Sequence, residues 1–95
     1  MQDPQRIVNV FIEGRVQGVG FRYWTEREAR RLGLKGWVRN RYDGAVEAQF
    51  SGPSEAVSEM LKLCESGPAY SQVTKVFAVP EGGRPPSRFE IRATV

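Results

Sequence analysis

The sequence contains no histidine and only one cysteine, Cys64, among its 95 residues. Without histidine, a Ser-His or Cys-His nucleophile pair and an imidazole general base are excluded. Zinc and iron–sulfur sites built from thiolates and imidazoles are excluded as well, and we predict neither a metal nor a cofactor. Cys64 lies among apolar residues, which is typical of a buried hydrophobe rather than a reactive thiol.

The sequence also lacks a long hydrophobic run. No apolar stretch approaches the roughly 20 residues that a membrane-spanning helix needs, and residues 1–6 show no signal-peptide pattern. We therefore expect a cytoplasmic protein without a membrane partner. A chain of 95 residues fits one domain over residues 1–95, in which we expect 1–5 to be a flexible N-terminus. Its size and composition permit a monomer.

Positive charge is concentrated in one part of the chain. Residues 15–41 carry eight arginines or lysines against two acids, a net charge of +6. The remaining residues carry six bases and nine acids, a net charge of −3. A focused positive field of this kind indicates an anionic ligand, which could be small or polymeric.

The hydrophobic pattern predicts five strands and two helices. Alternating and β-branched residues predict the strands, and apolar residues at helical spacing predict the helices. The strands are predicted over 7–13, 34–41, 45–50, 72–79 and 89–95, and the helices over 21–32 and from Ser51-Gly52-Pro53 to the stop at Gly67-Pro68.

This order of elements predicts the fold class. Two βαβ halves joined by a hairpin form the α+β, ferredoxin-like split βαβ (βαββαβ) sandwich. We expect a mostly antiparallel sheet of four to five strands with both helices on one face. We also expect strand two to pair beside strand one, which would bring the ends of these strands together.

The loop over residues 14–20 precedes the first helix and breaks a charge rule. Helix N-termini carry partial positive charge and usually attract acids, yet this one has Arg22 in its first turn and Arg15 nearby. An anion held by backbone N–H groups and Arg22 would relieve the repulsion, and Gly18 and Gly20 would let the backbone approach it. The loop matches neither the Walker nor the dinucleotide fingerprint. An ordinary connection is the alternative.

Asn40 is the second candidate, because strand interiors disfavour asparagine. It stands near the end of strand two, just before the turn at Asp43-Gly44. One interpretation is a turn-entry residue that bonds its own backbone. The other is a side chain that holds a water or a substrate oxygen.

These segments together resemble the acylphosphatase family. The resemblance covers nearly the whole chain and shows no departure at the functional positions. It rests on Gly14-Arg-Val-Gln-Gly-Val-Gly-Phe-Arg22, Leu32-Gly-Leu-Lys-Gly-Trp-Val-Arg-Asn40, Asp43-Gly44 and Gly52-Pro53.

The resemblance implies a metal-free hydrolase of acyl phosphates, the mixed anhydrides of a carboxylic acid and phosphate. It implies two catalytic residues, Arg22 to bind the phosphoryl group and Asn40 to orient the attacking water. Inorganic phosphate would be the product or a competitive ligand. The implied phosphate-binding residues are Arg15, Val16, Gln17, Gly18, Val19, Gly20 and Arg22.

Two alternatives stay open on the sequence. RNA-recognition domains share the predicted topology, but their third strand carries base-stacking aromatics, whereas the strand here has only Phe50. We therefore do not expect nucleic acid as a partner. A non-catalytic phosphate-binding module is the other alternative. Asn40 speaks against it, because a pure binder has no need to orient water.

Overall fold

The computed structural model describes residues 4–95, in the predicted order of strands and helices. The two helices differ in length by two residues, and the strands range from 11 residues in β1 to 3 in β5. The elements are β1 (Gln5–Arg15), α1 (Phe21–Arg31), β2 (Lys35–Asn40), β3 (Val46–Pro53), α2 (Ser54–Ser66), β4 (Gln72–Pro80) and β5 (Phe89–Ile91).

The five strands form one sheet in the order β4-β1-β3-β2-β5. The prediction that strand two pairs beside strand one is wrong, because β3 lies between them and pairs antiparallel with both. Since β1 and β2 both run against β3, they run in the same direction. Their C-terminal ends therefore still meet at one edge of the sheet, where the candidate residues stand.

Both helices cover the same face of the sheet, as predicted. Val8, Val10 and Ile12 of β1 are at most 2% exposed and share one core with the buried residues of both helices. Each such side chain contributes about 1.5–3 kcal/mol by burial. The buried helix residues are Phe21, Thr25 and Ala29 in α1 and Val57, Met60 and Cys64 in α2.

The first strand is longer than predicted at both ends. Of the predicted flexible segment 1–5, residues 1–3 lie outside the described residues. Gln5 opens β1, and the Pro4 carbonyl accepts a hydrogen bond from the Ser54 N–H at 2.8 Å. At the other end, Gly14 belongs to β1 at a register shift. A Cβ there would collide with the carbonyl of Gln72, so this position requires glycine.

The second helix begins later than predicted. Ser51 and Pro53 continue β3, because they pair with residues of β1, and α2 starts at Ser54. Pro53 precedes the helix with φ −56° and ψ 139°, an extended conformation that proline accepts readily.

The last strand is shorter than predicted. β5 covers only Phe89–Ile91 and pairs parallel with β2. The chain beyond it still follows β2, since the Arg92 N–H donates to the Val38 carbonyl at 2.9 Å and the Val95 N–H to the Asn40 carbonyl at 3.2 Å. The alternation up to Val95 therefore indicated an extended segment without regular pairing.

Candidate active site

The loop between β1 and α1 turns on two left-handed glycines. Gly18 has φ 73° and Gly20 has φ 79°, a region that residues with a side chain rarely adopt. Gly20 also stands at the N-cap of α1, where it offers no side-chain hydrogen bond. The helix therefore begins without a side-chain cap on its first N–H groups.

The backbone N–H groups of this segment are free of protein partners. Trp24 donates to the Gly20 carbonyl at 3.0 Å and makes the first helical hydrogen bond. Among residues 4–95, none of the N–H groups from residue 17 to residue 23 has an acceptor. The first turn of α1 also contains no acid. An anion is the natural complement to such a row of donors.

A cavity of about 110 Å³ lies at this helix start and brings both predicted catalytic residues together. Arg22 and Asn40 line it from two different elements. Neither side chain makes a hydrogen bond or ion pair with any residue between 4 and 95. The full lining is Val16, Gly18, Gly20, Phe21, Arg22, Tyr23 and Asn40.

The register of the sheet carries Asn40 to the cavity. Asn40 pairs with Val46, and Val38 pairs with Ala48, so Asn40 shares the helix-covered face of the sheet with Val38. Val38 is fully buried, whereas Asn40 at the strand end is only partly covered. An amide at this position is held by the strand but open to a ligand.

The remaining predicted loop residues lie outside the lining. Arg15 is exposed at the end of β1, and Val19 packs against the core. The Gln17 side chain bonds to the hairpin between β2 and β3. Two lining residues escaped prediction, Phe21 and Tyr23. Phe21 is 2% exposed, so the sequence pattern assigns it to the core rather than to a site. The only feature of the sequence that could have pointed to Tyr23 is its position next to Arg22.

A buried carboxylate organises the opposite face of the sheet. Glu47, only 5% exposed, accepts hydrogen bonds from Asn9 at 3.1 Å and from Arg39 and Arg41 at 2.9 Å. Burial would raise the pKa of Glu47, but these hydrogen bonds outweigh it and hold the pKa below its usual value. The carboxylate is therefore charged at neutral pH and forms ion pairs with both arginines, and Arg41 also pairs with Asp43 at 3.3 Å.

A larger cleft of about 600 Å³ lies on this opposite face and contains none of the predicted site residues. Its walls combine aromatic rings with charges of both signs. It is lined by Phe11, Glu13, Gly14, Asp43, Gly44, Ala45, Lys75 and Phe77.

Cys64 is fully buried in α2, as predicted. Burial raises the pKa of its thiol to about 12, so the sulfur stays protonated at neutral pH. Within residues 4–95, no three His, Cys, Asp or Glu side chains gather where they could hold a metal ion. The described helices include none that is long and apolar enough to cross a membrane.

The fold and the cavity define the class of protein: a ferredoxin-like α+β sandwich with a row of backbone N–H groups, unpartnered within residues 4–95, at the start of its first helix. The family model Acylphosphatase matches residues 8–91. An acylphosphatase of Nitrobacter winogradskyi is 53% identical over 92 aligned residues, covering 90% of this chain and 93% of that protein. The chain belongs to the acylphosphatase family, which confirms the resemblance and the prediction of a hydrolase.

Solved structures agree with this assignment. An acylphosphatase from Coxiella burnetii superposes with a TM-score of 0.89 at 30% identity, covering 93% of each chain. The acylphosphatase from Bacillus subtilis superposes with a TM-score of 0.86 at 35% identity, covering 94% of this chain and 99% of that one. The predicted fold class is thereby confirmed.

Proposed function

We propose how this acylphosphatase hydrolyses the carboxyl–phosphate bond of a small acyl phosphate. Arg22 and the backbone amides of the loop over residues 15–20 bind the phosphoryl group, and Asn40 orients the attacking water. The water oxygen bonds to phosphorus while the acyl carboxylate leaves with the electron pair of the broken bond. The products are a carboxylate and inorganic phosphate, which also competes with the substrate.

One observation carries this proposal. Gly18 and residues 20–23, whose N–H groups have no acceptor among the described residues, line a single cavity, and the unpaired side chain of Arg22 belongs to the same lining. Phosphoryl transfer depends mainly on positioning and on stabilising the charge of the phosphoryl oxygens. Arginine suits this task, because its planar fork matches two phosphate oxygens and it stays charged at any working pH.

Asn40 supplies what a binding loop alone lacks. Its amide has no partner among the described residues and lies on the cavity wall. An amide cannot act as a general base, so the water proton passes to a phosphate oxygen of the substrate. A carboxylate leaves readily without protonation, and hence the reaction needs no general acid. The absence of histidine from the sequence is compatible with this chemistry.

The proposal extends to the setting of the protein. Residues 1–95 form a single domain that acts as a monomer in the cytoplasm, without a nucleic-acid partner. The paired state of Arg39 and Arg41 supports this last point, since Glu47 already occupies both guanidinium groups on the open face of the sheet.

Phosphate titration followed by ¹H–¹⁵N NMR tests where the anion binds. We expect the largest shift changes at the amides of residues 17–23 and at the Arg22 Nε–H. The Arg22→Ala variant should lose the response, and Arg30→Ala should keep it, because Arg30 is bonded to Glu26 and the Phe89 carbonyl instead. Shift changes centred on any other surface would contradict the proposal.

A chelator assay tests the proposed independence from metals. Hydrolysis of benzoyl phosphate, followed by loss of its ultraviolet absorbance, should continue unchanged in EDTA. Activity that disappears in EDTA and returns with a divalent cation would contradict this part of the proposal.

A further inference from the structure

The Gln17 side chain connects the loop over residues 14–20, called the phosphate loop below, to the hairpin that follows Asn40. Its Nε2 donates to the Arg41 carbonyl at 2.7 Å and to the Ala45 carbonyl at 2.9 Å. We propose that Gln17 is a positioning residue that fixes the distance between the phosphate loop and Asn40. This inference rests on the proposed function and adds a role for the Gln17 side chain to it.

The loop has few other directional anchors. Val16 and Val19 pack against the core, but apolar contacts fix a burial depth better than a precise orientation. Within residues 16–20, Gln17 alone makes a side-chain hydrogen bond, and the N–H groups of residues 17–20 have no acceptor among the described residues. The two bonds of Gln17 therefore set the orientation of the loop.

The hairpin that accepts these two hydrogen bonds is itself closed by hydrogen bonds. The Arg41 N–H donates to the Ala45 carbonyl at 2.9 Å and the Gly44 N–H to the Arg41 carbonyl at 3.1 Å. The Asp43 Oδ1 accepts a further bond from the Ala45 N–H at 3.0 Å. Asn40 directly precedes this closed turn, so a loop anchored to the turn is also held in register with Asn40.

The chemistry depends on this register. A glutamine amide has two N–H donors, and both are used here. The attacking water must approach phosphorus opposite the leaving oxygen, so the groups that hold the water and the phosphoryl group must be correctly spaced. A misplacement of about 1 Å can cost on the order of 100-fold in rate.

The Gln17→Met variant tests the inference, because it keeps the side-chain length and removes both donors. We expect its kcat on benzoyl phosphate to fall about tenfold to 100-fold. The inhibition constant of inorganic phosphate should change less than about threefold, because Arg22 and the amides of the loop remain. The Gln17→Leu variant, which is likewise uncharged and without a donor, should show the same loss and serves if Gln17→Met fails to fold.

Gln49→Met is the matched control. Gln49 also donates through Nε2, at 2.7 Å to Glu81, but it stands on the opposite face of the sheet. We expect a lower melting temperature for this control and a kcat equal to that of the unchanged protein. A similar fall in kcat in both variants would assign the effect to stability and overturn the inference.

A double-mutant cycle tests whether Gln17 acts through Asn40. In an Asn40→Ala background, Gln17→Met should lower kcat by less than about threefold. An equal loss in both backgrounds, an unchanged kcat, or a phosphate constant that rises as far as kcat falls would overturn the positioning role. Failure of the proposed function is seen separately, as undiminished hydrolysis by Arg22→Ala.

Discussion

Arginine stands in two different settings on the two sides of the sheet. Arg22 lines a cavity beside free backbone N–H groups and has no acid partner among residues 4–95. Arg39 and Arg41 each bond to the buried Glu47 at 2.9 Å. The difference teaches that residue type alone does not mark a binding arginine, because the charges of Arg39 and Arg41 are already paired within the described protein whereas that of Arg22 is not.

Asparagine repeats the same contrast. Asn9 in β1 donates to Glu47 at 3.1 Å and belongs to the compensated side. Asn40 in β2 has no partner for its amide among the described residues and lies on the cavity wall. Arginine and asparagine thus occur on both sides of the sheet, paired with Glu47 on one side and, in the described part of the chain, without a partner at Arg22 and Asn40 on the other.

Arg22 should give the largest effect on activity. We expect Arg22→Ala and Arg22→Lys to lower kcat/KM for benzoyl phosphate on the order of 10³-fold or more. Lysine keeps the charge but not the fork, so it should not rescue turnover. A lysine variant close to full activity would refute the bidentate role and weaken the contrast with the paired arginines.

Asn40 should follow, with an effect on the chemical step. Asn40→Ala is expected to lower kcat about 100-fold while the inhibition constant of phosphate changes little, since phosphate binding does not need the oriented water. Asn9→Ala is the matched control and should lose stability but not kcat. A loss seen mainly in phosphate affinity would instead make Asn40 a binding residue.

Glu47 should affect stability rather than turnover. Among residues 4–95, Glu47→Gln leaves Arg39 without a counter-charge and Arg41 with Asp43 alone. We expect the free energy of unfolding to fall by about 1–3 kcal/mol in urea titrations. The kcat of the folded variant should stay near that of the unchanged protein. A kcat loss as large as that of Arg22→Ala would remove the distinction between the two sides.

The same carboxylate gives this stability a pH dependence. The pKa of Glu47 is lowered from its usual 4.5 in the folded protein. Its contribution is therefore complete above that value and is lost as the pH falls through the lower folded pKa. Urea titrations at decreasing pH should show a steeper loss for the unchanged protein than for Glu47→Gln, and parallel curves would contradict the assignment.

The smallest effect is expected on the exposed face of α1. Arg27 is exposed and has no ion pair among the described residues, yet it lies outside the cavity lining. Arg27→Ala should change kcat/KM by less than about twofold. A larger loss would show that an unpaired arginine near the site matters even without contact to the cavity.

Much of the fold follows from local patterns in the sequence. The stripe of Val57, Met60, Leu61 and Cys64 predicted the buried face of α2. All of these except Leu61 are fully buried, and Leu61 is partly buried against the same core. Element ends were less predictable. Ser51 and Pro53 resemble a helix start, but pairing with β1 keeps them in β3. Long-range hydrogen bonds decide such boundaries, and they leave no trace in local spacing.

The candidate site also has features that the sequence predicts and features that it does not. A loop with Gly18 and Gly20 before Arg22 predicted an anion site, because the charge at the helix start lacked a local partner. Tyr23 on the cavity wall and the bonds of Gln17 to the hairpin were not predictable. Both depend on which segments meet after folding.

The sequence by itself determined the element order, the family and the residues able to meet a phosphate, since these depend on residue type and local spacing. Only the tertiary structure decided which of these residues are left without a protein partner and so could contact a ligand. Packing β3 between β1 and β2 aligned the ends of those two strands, bringing Asn40 to the start of α1. The same packing placed Glu47 beside Arg39 and Arg41. Whether a charged side chain is paired depends on its distance in space from an opposite charge, and the fold sets that distance.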